Sequence, residues 1–291
     1  MMTRSQKWKR FLAGMAVAIS AIVLGFVLVF STIHTYGATP EEVSMPMPGD
    51  LLYTDPVVNW THAITIDAPV ETVWPWVIQM GDDRGGFYSY TFIENLIMGK
   101  RVYVNASEIH PEWQTPAVGE GMIVDLFKFK EYEPNRFLLA AIDDQYGLSW
   151  VWLLEPRGQE QTRLIVRMKI QTPVEFQNPV LTGVMDAGGF VMEKGMLDGI
   201  QLRAEGGRKA DWVEFVEIGL WLGVLVEGIV AAVLFMKRPN WQKPLVVGLA
   251  VVAALFVLTF VQPAIALRGL IVLLLFAALI WAAGKPEPAV V

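Results

Sequence analysis

WPWVIQMGDDRGGFYSYTFIEN, residues Trp74–Asn95, crowds aromatics, glycines and charges into one short run. Just before it, Val70, Val73, Trp74 and Val77 recur at i, i+3, i+4 and i+7, the spacing of one apolar helical face. Asp67-Ala68-Pro69 supplies a helix start, with Pro69 near the first turn, where a missing N–H costs nothing. Pro75 lies inside the pattern and removes one helical hydrogen bond, which kinks the helix or shifts its start. Gly81 ends the helix, Gly85-Gly86 permits a sharp reversal, and Ser89–Met98 reads as a second short helix.

Outward from this run, Trp60–Asp67 reads as a strand before the first helix. After Val118 the period changes to two. Met122–Lys130, Phe137–Asp143, Ser149–Glu155 and Arg163–Thr172 read as strands, parted by turn signals at Glu133-Pro134-Asn135, Tyr146-Gly147 and Pro156-Arg157-Gly158. Hairpin spacings of this kind predict an antiparallel sheet. A long helix follows, from Val180 or Asp186 to Ala204, and Gly206-Gly207 ends it. The fold class is therefore α+β, with an antiparallel sheet around a long C-terminal helix whose apolar face it buries. Ala38–Pro56 holds Pro40, Pro46, Pro48 and Pro56, and reads either as an extended linker or as a strap packed over the domain.

The flanks are of another kind. The chain has 291 residues, 54% of them hydrophobic, and a mean hydropathy of +0.42. Phe11–Ile33 is uncharged and, at 1.5 Å per residue, long enough for a bilayer core. It exceeds the apolar core of a signal peptide, and Thr32–Thr39 offers no small-residue cleavage site, so it reads as a retained anchor. Trp212–Met236, Leu245–Val261 and Ala264–Ala283 are three further spans, the last two parted by Gln262-Pro263. This divides the chain into 1–36 (flank and first span), 37–59 (Pro-rich segment), 60–206 (α+β domain) and 207–291 (three spans).

Lys and Arg set the expected orientation. Arg4, Lys7, Lys9, Arg10, Lys237, Arg238, Lys243 and Lys285 fall on one side, read as cytoplasmic; Arg203, Arg208, Lys209 and Arg268 fall on the other. Both termini are thus expected inside and residues 34–211 outside the cytoplasmic membrane. Those residues carry 14 Lys and Arg against 25 Asp and Glu, a net charge of −11 within a chain of net −6. So acidic a domain repels nucleic acid and anionic headgroups. With no cysteine there is neither disulfide nor thiol chemistry.

Three separated blocks carry a family resemblance: Ala68–Gly81 with Arg84–Tyr90 and Glu94-Asn95, then Ile109–Gln114, then Met196–Glu205. In this order they resemble a membrane-associated bacterial branch of the START-like (SRPBCC, polyketide cyclase/dehydrase and lipid-transport) superfamily, whose fold is the helix-grip. The stretch Leu96–Glu108 is longer than that branch's usual form. The resemblance implies a cavity between sheet and long helix for a hydrophobic or amphipathic small molecule, lipid or isoprenoid-like, near the lipid bilayer. It also leaves open a cyclase, dehydrase or hydrolase using the same cavity, and a non-catalytic envelope scaffold or stress component. Fold alone does not select among these.

The candidate residues follow. Arg84 pairs with Glu94 to clamp the two short helices, or holds a ligand carboxylate. Tyr88 and Tyr90 suit a cavity mouth, and Trp113, Trp150 and Trp152 offer aromatic walls. Met185, Met192 and Met196 lie beside Gly188, Gly195 and Gly199 on the long helix; the glycines mark either a cavity floor or close packing against the sheet. Glu94, His110 and Tyr88 are the candidates for acid/base chemistry, His110 being read as the histidine deep in the domain. Asp82-Asp83 and Asp143-Asp144 read as solvated turn charges. No spacing of His, Asp or Glu suggests a metal, and no cofactor motif is present. Glu227 falls deep in the second span, a functional carboxyl or an interhelical hydrogen-bond partner.

Overall fold

The computed structural model describes residues 3–98, 104–142, 147–171 and 178–284. Its contacts divide the chain into two compact units, Ser31–Lys209 and Met1–Phe30 with Ala210–Val291.

In the first unit, α3 (Val70–Ile78) and α4 (Thr91–Met98) follow β1 (Val58–Ile66). Pro75 is accommodated inside α3. Five further strands follow: β2 (Gly121–Ile123), β3 (Phe127–Glu133), β4 (Phe137–Ile142), β5 (Leu148–Arg157) and β6 (Gln161–Ile170). They form one antiparallel sheet in the order β1-β6-β5-β4-β3-β2. The long helix α5 (Pro179–Ala204) closes the unit. This is the expected helix-grip arrangement. Asp143, Asp144, Tyr146 and Thr172 lie outside the described residues.

The run expected as a single strand, Met122–Lys130, is instead a hairpin. Val124 and Asp125 both take positive φ, 49° and 56°, and the Val124 N–H donates to Asp82 Oδ2 at 2.6 Å. A side chain distant in sequence thus stabilises a turn that lacks the usual glycine.

Both faces of the sheet are covered. On the inner face Trp152, Leu154, Leu164 and Val166 pack with Val73 and Val77 of α3 and Leu197 and Ile200 of α5. On the outer face Ala63, Leu139, Val151 and Ile165 pack against Met47, with Ala38 and Met45 at the margin. The Pro-rich segment is therefore a strap. It includes a short helix, α2 (Pro40–Ser44), with a capping box between Thr39 and Glu42.

Two arginines of β6 hold the strap. Arg163 pairs with Glu42 at 2.8 Å and donates to the Gly37 carbonyl. Arg167, 4% exposed, bonds Thr61 Oγ1, Asp50 and the carbonyls of Glu42, Val43 and Met45. Its five N–H donors are thereby all engaged.

The second unit contains most of α1 (Arg4–Thr35) together with α6 (Asp211–Lys237), α7 (Gln242–Phe256), which runs into a π-turn (Val257–Val261), and α8 (Ile265–Ala283). Four helices here are long and apolar enough to cross a membrane: Arg4–Thr35, Trp212–Lys237, Gln242–Val261 and Ile265–Ala283. Val224, Val251, Ala254, Leu258 and Leu275 pack α6, α7 and α8 together. Polar links also join them, among them Trp221 Nε1 to Thr259 Oγ1 at 3.0 Å and Arg268 to Glu217 at 3.5 Å. Glu227 makes no such link through Oε2, which is buried without a hydrogen-bond partner.

Candidate functional site

A cavity of about 510 Å³ lies between the sheet and α5. From the sheet, Trp60, Leu148, Trp150, Met168 and Ile170 line it; the β2–β3 hairpin adds Ile123 and Phe127. Phe87 and Glu94 come from the Trp74–Asn95 run and its second helix. The α5 wall is Met185, Gly188, Gly189, Met192, Glu193 and Met196, a stripe at i, i+3, i+4, i+7, i+8 and i+11 that faces one direction. Met185 is 48% exposed while lining the cavity, so the cavity opens beside the first turns of α5.

Trp150, Met185, Met192 and Met196 all lie on this wall. The glycines divide. A Cβ on Gly188 would meet nothing within 4 Å, as expected at a cavity wall. A Cβ on Gly195 would come within 2.7 Å of Ser89 Oγ, and one on Gly199 would collide with the Tyr88 carbonyl. Those two serve close packing against the 88–90 turn, where Ser89 Oγ also donates to the Met192 carbonyl.

Most of the Trp74–Asn95 run is committed to contacts within the domain rather than to a cavity mouth. Arg84 forms its ion pair with Glu120, not Glu94, and donates to the carbonyl of Trp113 at 2.5 Å. Burial lowers its basicity and the Glu120 carboxylate opposes that shift. Tyr88 has a left-handed backbone (φ 60°) and is 4% exposed. Its hydroxyl donates to the Trp76 carbonyl at 3.1 Å and accepts from Gln79 Nε2 at 3.0 Å. The Arg203 guanidinium lies 4.5 Å over its ring. Burial pushes the phenol well above its ordinary range, against the opposing Gln79 hydrogen bond and the positive charges of Arg203 and Arg84. A phenol held protonated in this way is no general base.

Gln79, fully buried, is the hub. It bonds Tyr88, the Glu108 carbonyl, the His110 N–H and the Gln114 side chain. Asn105 joins in, its Oδ1 accepting from the Tyr88 N–H at 2.6 Å. The first two sequence blocks are thus tied by one hydrogen-bond network, and Arg203 of the third lies over the Tyr88 ring.

The other expected positions resolve accordingly. Tyr90 is buried against Gly195, with the Lys209 ammonium 5.5 Å over its ring. The Trp113 ring lies tilted against His110 at 4.1 Å, and Trp152 is fully buried in the core beside Trp150. Arg84, Tyr88, Tyr90, Trp113 and Trp152 are therefore off the cavity wall. Of the acid/base candidates only Glu94 lines the cavity. His110 is half-buried beside Glu112 at 3.4 Å. Among the described residues no group of three or more His, Asp or Glu could hold a metal ion.

The buried histidine is His62. Period two along β1 places it on the inner face with Trp60, Ile64 and Ile66, a signal present in the sequence. Its Nδ1 lies 2.5 Å from Glu193 Oε1, and its Nε2 lies 2.6 Å from the Ile33 carbonyl. Trp150 Nε1 donates to Glu193 Oε2 at 2.9 Å. Two turns earlier on α5, Asp186 meets His34 at 3.3 Å. A carboxylate inside an otherwise apolar helical stripe was the available sign of Glu193.

The fold and cavity define an α+β architecture, an antiparallel sheet packed on a long helix, in a chain whose described residues include four apolar helices of membrane-spanning length. No protein-family model matches the chain, and no curated protein matches it. Solved structures do. A START superfamily protein from Mycobacterium smegmatis is 13% identical, with 51% of this chain and 97% of that chain covered at a TM-score of 0.29. Norcoclaurine synthase from Thalictrum flavum, solved with dopamine and hydroxybenzaldehyde, is 11% identical, with 57% and 97% covered at 0.33. CalU16 from Micromonospora echinospora is 13% identical, with 68% and 88% covered at 0.30.

Proposed function

We propose that this protein is a membrane-tethered binder of a hydrophobic or amphipathic small molecule, held by the 60–206 domain. The observation that carries the reading is the open cavity of about 510 Å³, walled almost wholly by apolar side chains. That size lies within the range of small-molecule sites. Trp150, Met185, Met192 and Met196 are the ligand contacts. Unbranched thioethers adapt to ligands of varied outline. A tether of membrane-spanning helices keeps the domain within reach of bilayer-borne molecules. An enzyme acting in the same cavity would need a convergent acid/base set, and of Glu94, His110 and Tyr88 only Glu94 lines the wall. A scaffold would be better served by a filled core.

Native mass spectrometry of the protein extracted in mild detergent tests the reading. A small molecule should leave with the protein and dissociate on activation, and added lipids or isoprenoids should raise the melting temperature. If nothing co-purifies and no such addition shifts melting, the binding reading fails.

A further inference from the structure

We propose that Glu193, fixed by His62 and Trp150 in the cavity wall, anchors the hydroxyl group of an otherwise apolar ligand: the ligand class is an uncharged alcohol. The inference rests on the binding function proposed above and adds the chemistry of the bound head.

The hydrogen-bond pattern decides the charge. The Ile33 carbonyl can only accept, so His62 Nε2 carries a hydrogen. One proton then lies between His62 Nδ1 and Glu193 Oε1. Whichever atom holds it, the pair is neutral overall. The imidazole is enclosed: Trp60 stacks parallel to it at 6.1 Å, and Phe190 and Tyr36 meet it edge-on at 5.5 and 6.4 Å. His62 is fully buried and does not line the cavity, whereas Glu193 does. The Trp150 indole N–H is committed to Glu193 Oε2.

Each carboxylate oxygen has two lone pairs, and the protein engages one on each: Oε1 through the proton shared with His62, Oε2 through the Trp150 N–H. At this point of the wall, therefore, the protein offers acceptor capacity without net charge. A hydroxyl matches that offer. An ammonium would bring a charge that the neutral pair does not balance, and a ligand carboxylate would face an acceptor. A buried ion pair is a weak source of net stability compared with apolar residues of similar volume. A role for this pair in orienting a ligand gives it a purpose that packing alone does not.

The test uses the full-length protein in mild detergent with three probes: farnesol, farnesyl methyl ether and farnesylamine. Quenching of tryptophan fluorescence reports binding. Farnesol should bind at least about tenfold more tightly than the ether, the scale of one hydrogen bond, and more tightly than the amine. In ¹⁵N spectra the His62 Nδ1 resonance should move with farnesol and not with the ether. Glu193→Leu should abolish the preference for alcohol while the ether still binds. Equal affinities for alcohol and ether would overturn the anchor and leave the cavity function standing. So would tighter binding of the amine. Binding of none of the three would remove the cavity function and the anchor together. Should Glu193→Leu fail to fold, the wild-type affinity ratio and the His62 resonance decide.

Discussion

Arg167 shows how much one side chain can organise. Its guanidinium reaches across from β6 to three strap carbonyls, Asp50 and Thr61, with all five donors used and 4% of the residue exposed. Arg167→Met would keep the volume and strand three buried carbonyls. Loss of one partner from a buried charged network costs about 3–5 kcal/mol. Chemical denaturation of the variant should show a loss of that size, while Arg136→Met, an exposed residue on the β3–β4 turn, should change little. Gln79 and Tyr88 make the same point inside the motif. The residues that identify the fold most clearly from sequence are spent on holding the core together, and Arg84 finds Glu120 because that loop returns beside it.

At the scale of elements, α5 serves two purposes along one stripe. Its C-terminal half packs tightly on the 88–90 turn through Gly195 and Gly199, and its N-terminal half opens at Gly188 onto the cavity. Gly188→Leu should therefore raise the melting temperature, because helix propensity improves by about 1 kcal/mol and empty space is filled. The same substitution should abolish binding of added isoprenoid or lipid in a thermal-shift titration. A variant that melts higher and still binds would place the ligand elsewhere.

The strap is the second element with a measurable signature. The hydrogen bond from Arg163 holds the Glu42 carboxyl below its ordinary range, against the desolvation of its site. For a depressed carboxyl, the stabilisation is complete above the unfolded value of about 4.3 and is lost as pH falls through the lower folded value. Hydrogen exchange across Met45–Asp50 should accelerate as the pH drops below about 4. Glu42→Gln should remove that acid-dependent step, leaving exchange faster and flatter with pH; an unchanged profile would assign the step to other carboxyls.

For the whole molecule, the testable property is orientation, should the four apolar helices cross a bilayer. The excess of Lys and Arg flanking the spans on one side then predicts an external domain with both termini inside. The chain has no cysteine. Gln159→Cys, at the exposed turn between β5 and β6, should react with a membrane-impermeant maleimide on intact cells. Labelling only after lysis would reverse the orientation.

Much of this molecule was legible in one dimension. Apolar runs without charge, period-two strands parted by turn residues and a helical face before Pro75 each follow from local chemistry, and they gave the α+β class and the four long apolar helices. What the sequence could not supply is anything that depends on which distant groups meet. The β2–β3 turn needed Asp82. The partner of Arg84 needed the Ala117–Glu120 turn, where Glu120 also accepts from the Ala117 N–H. The cavity needed Gly188 to face empty space while Gly195 and Gly199 did not. His62 and Glu193 are 131 positions apart, and only the closure of β1 against α5 makes them a pair. Periodicity fixes which face a residue occupies; the tertiary structure alone decides what stands opposite it, and hydrogen bonds and cavities belong to both sides of that contact.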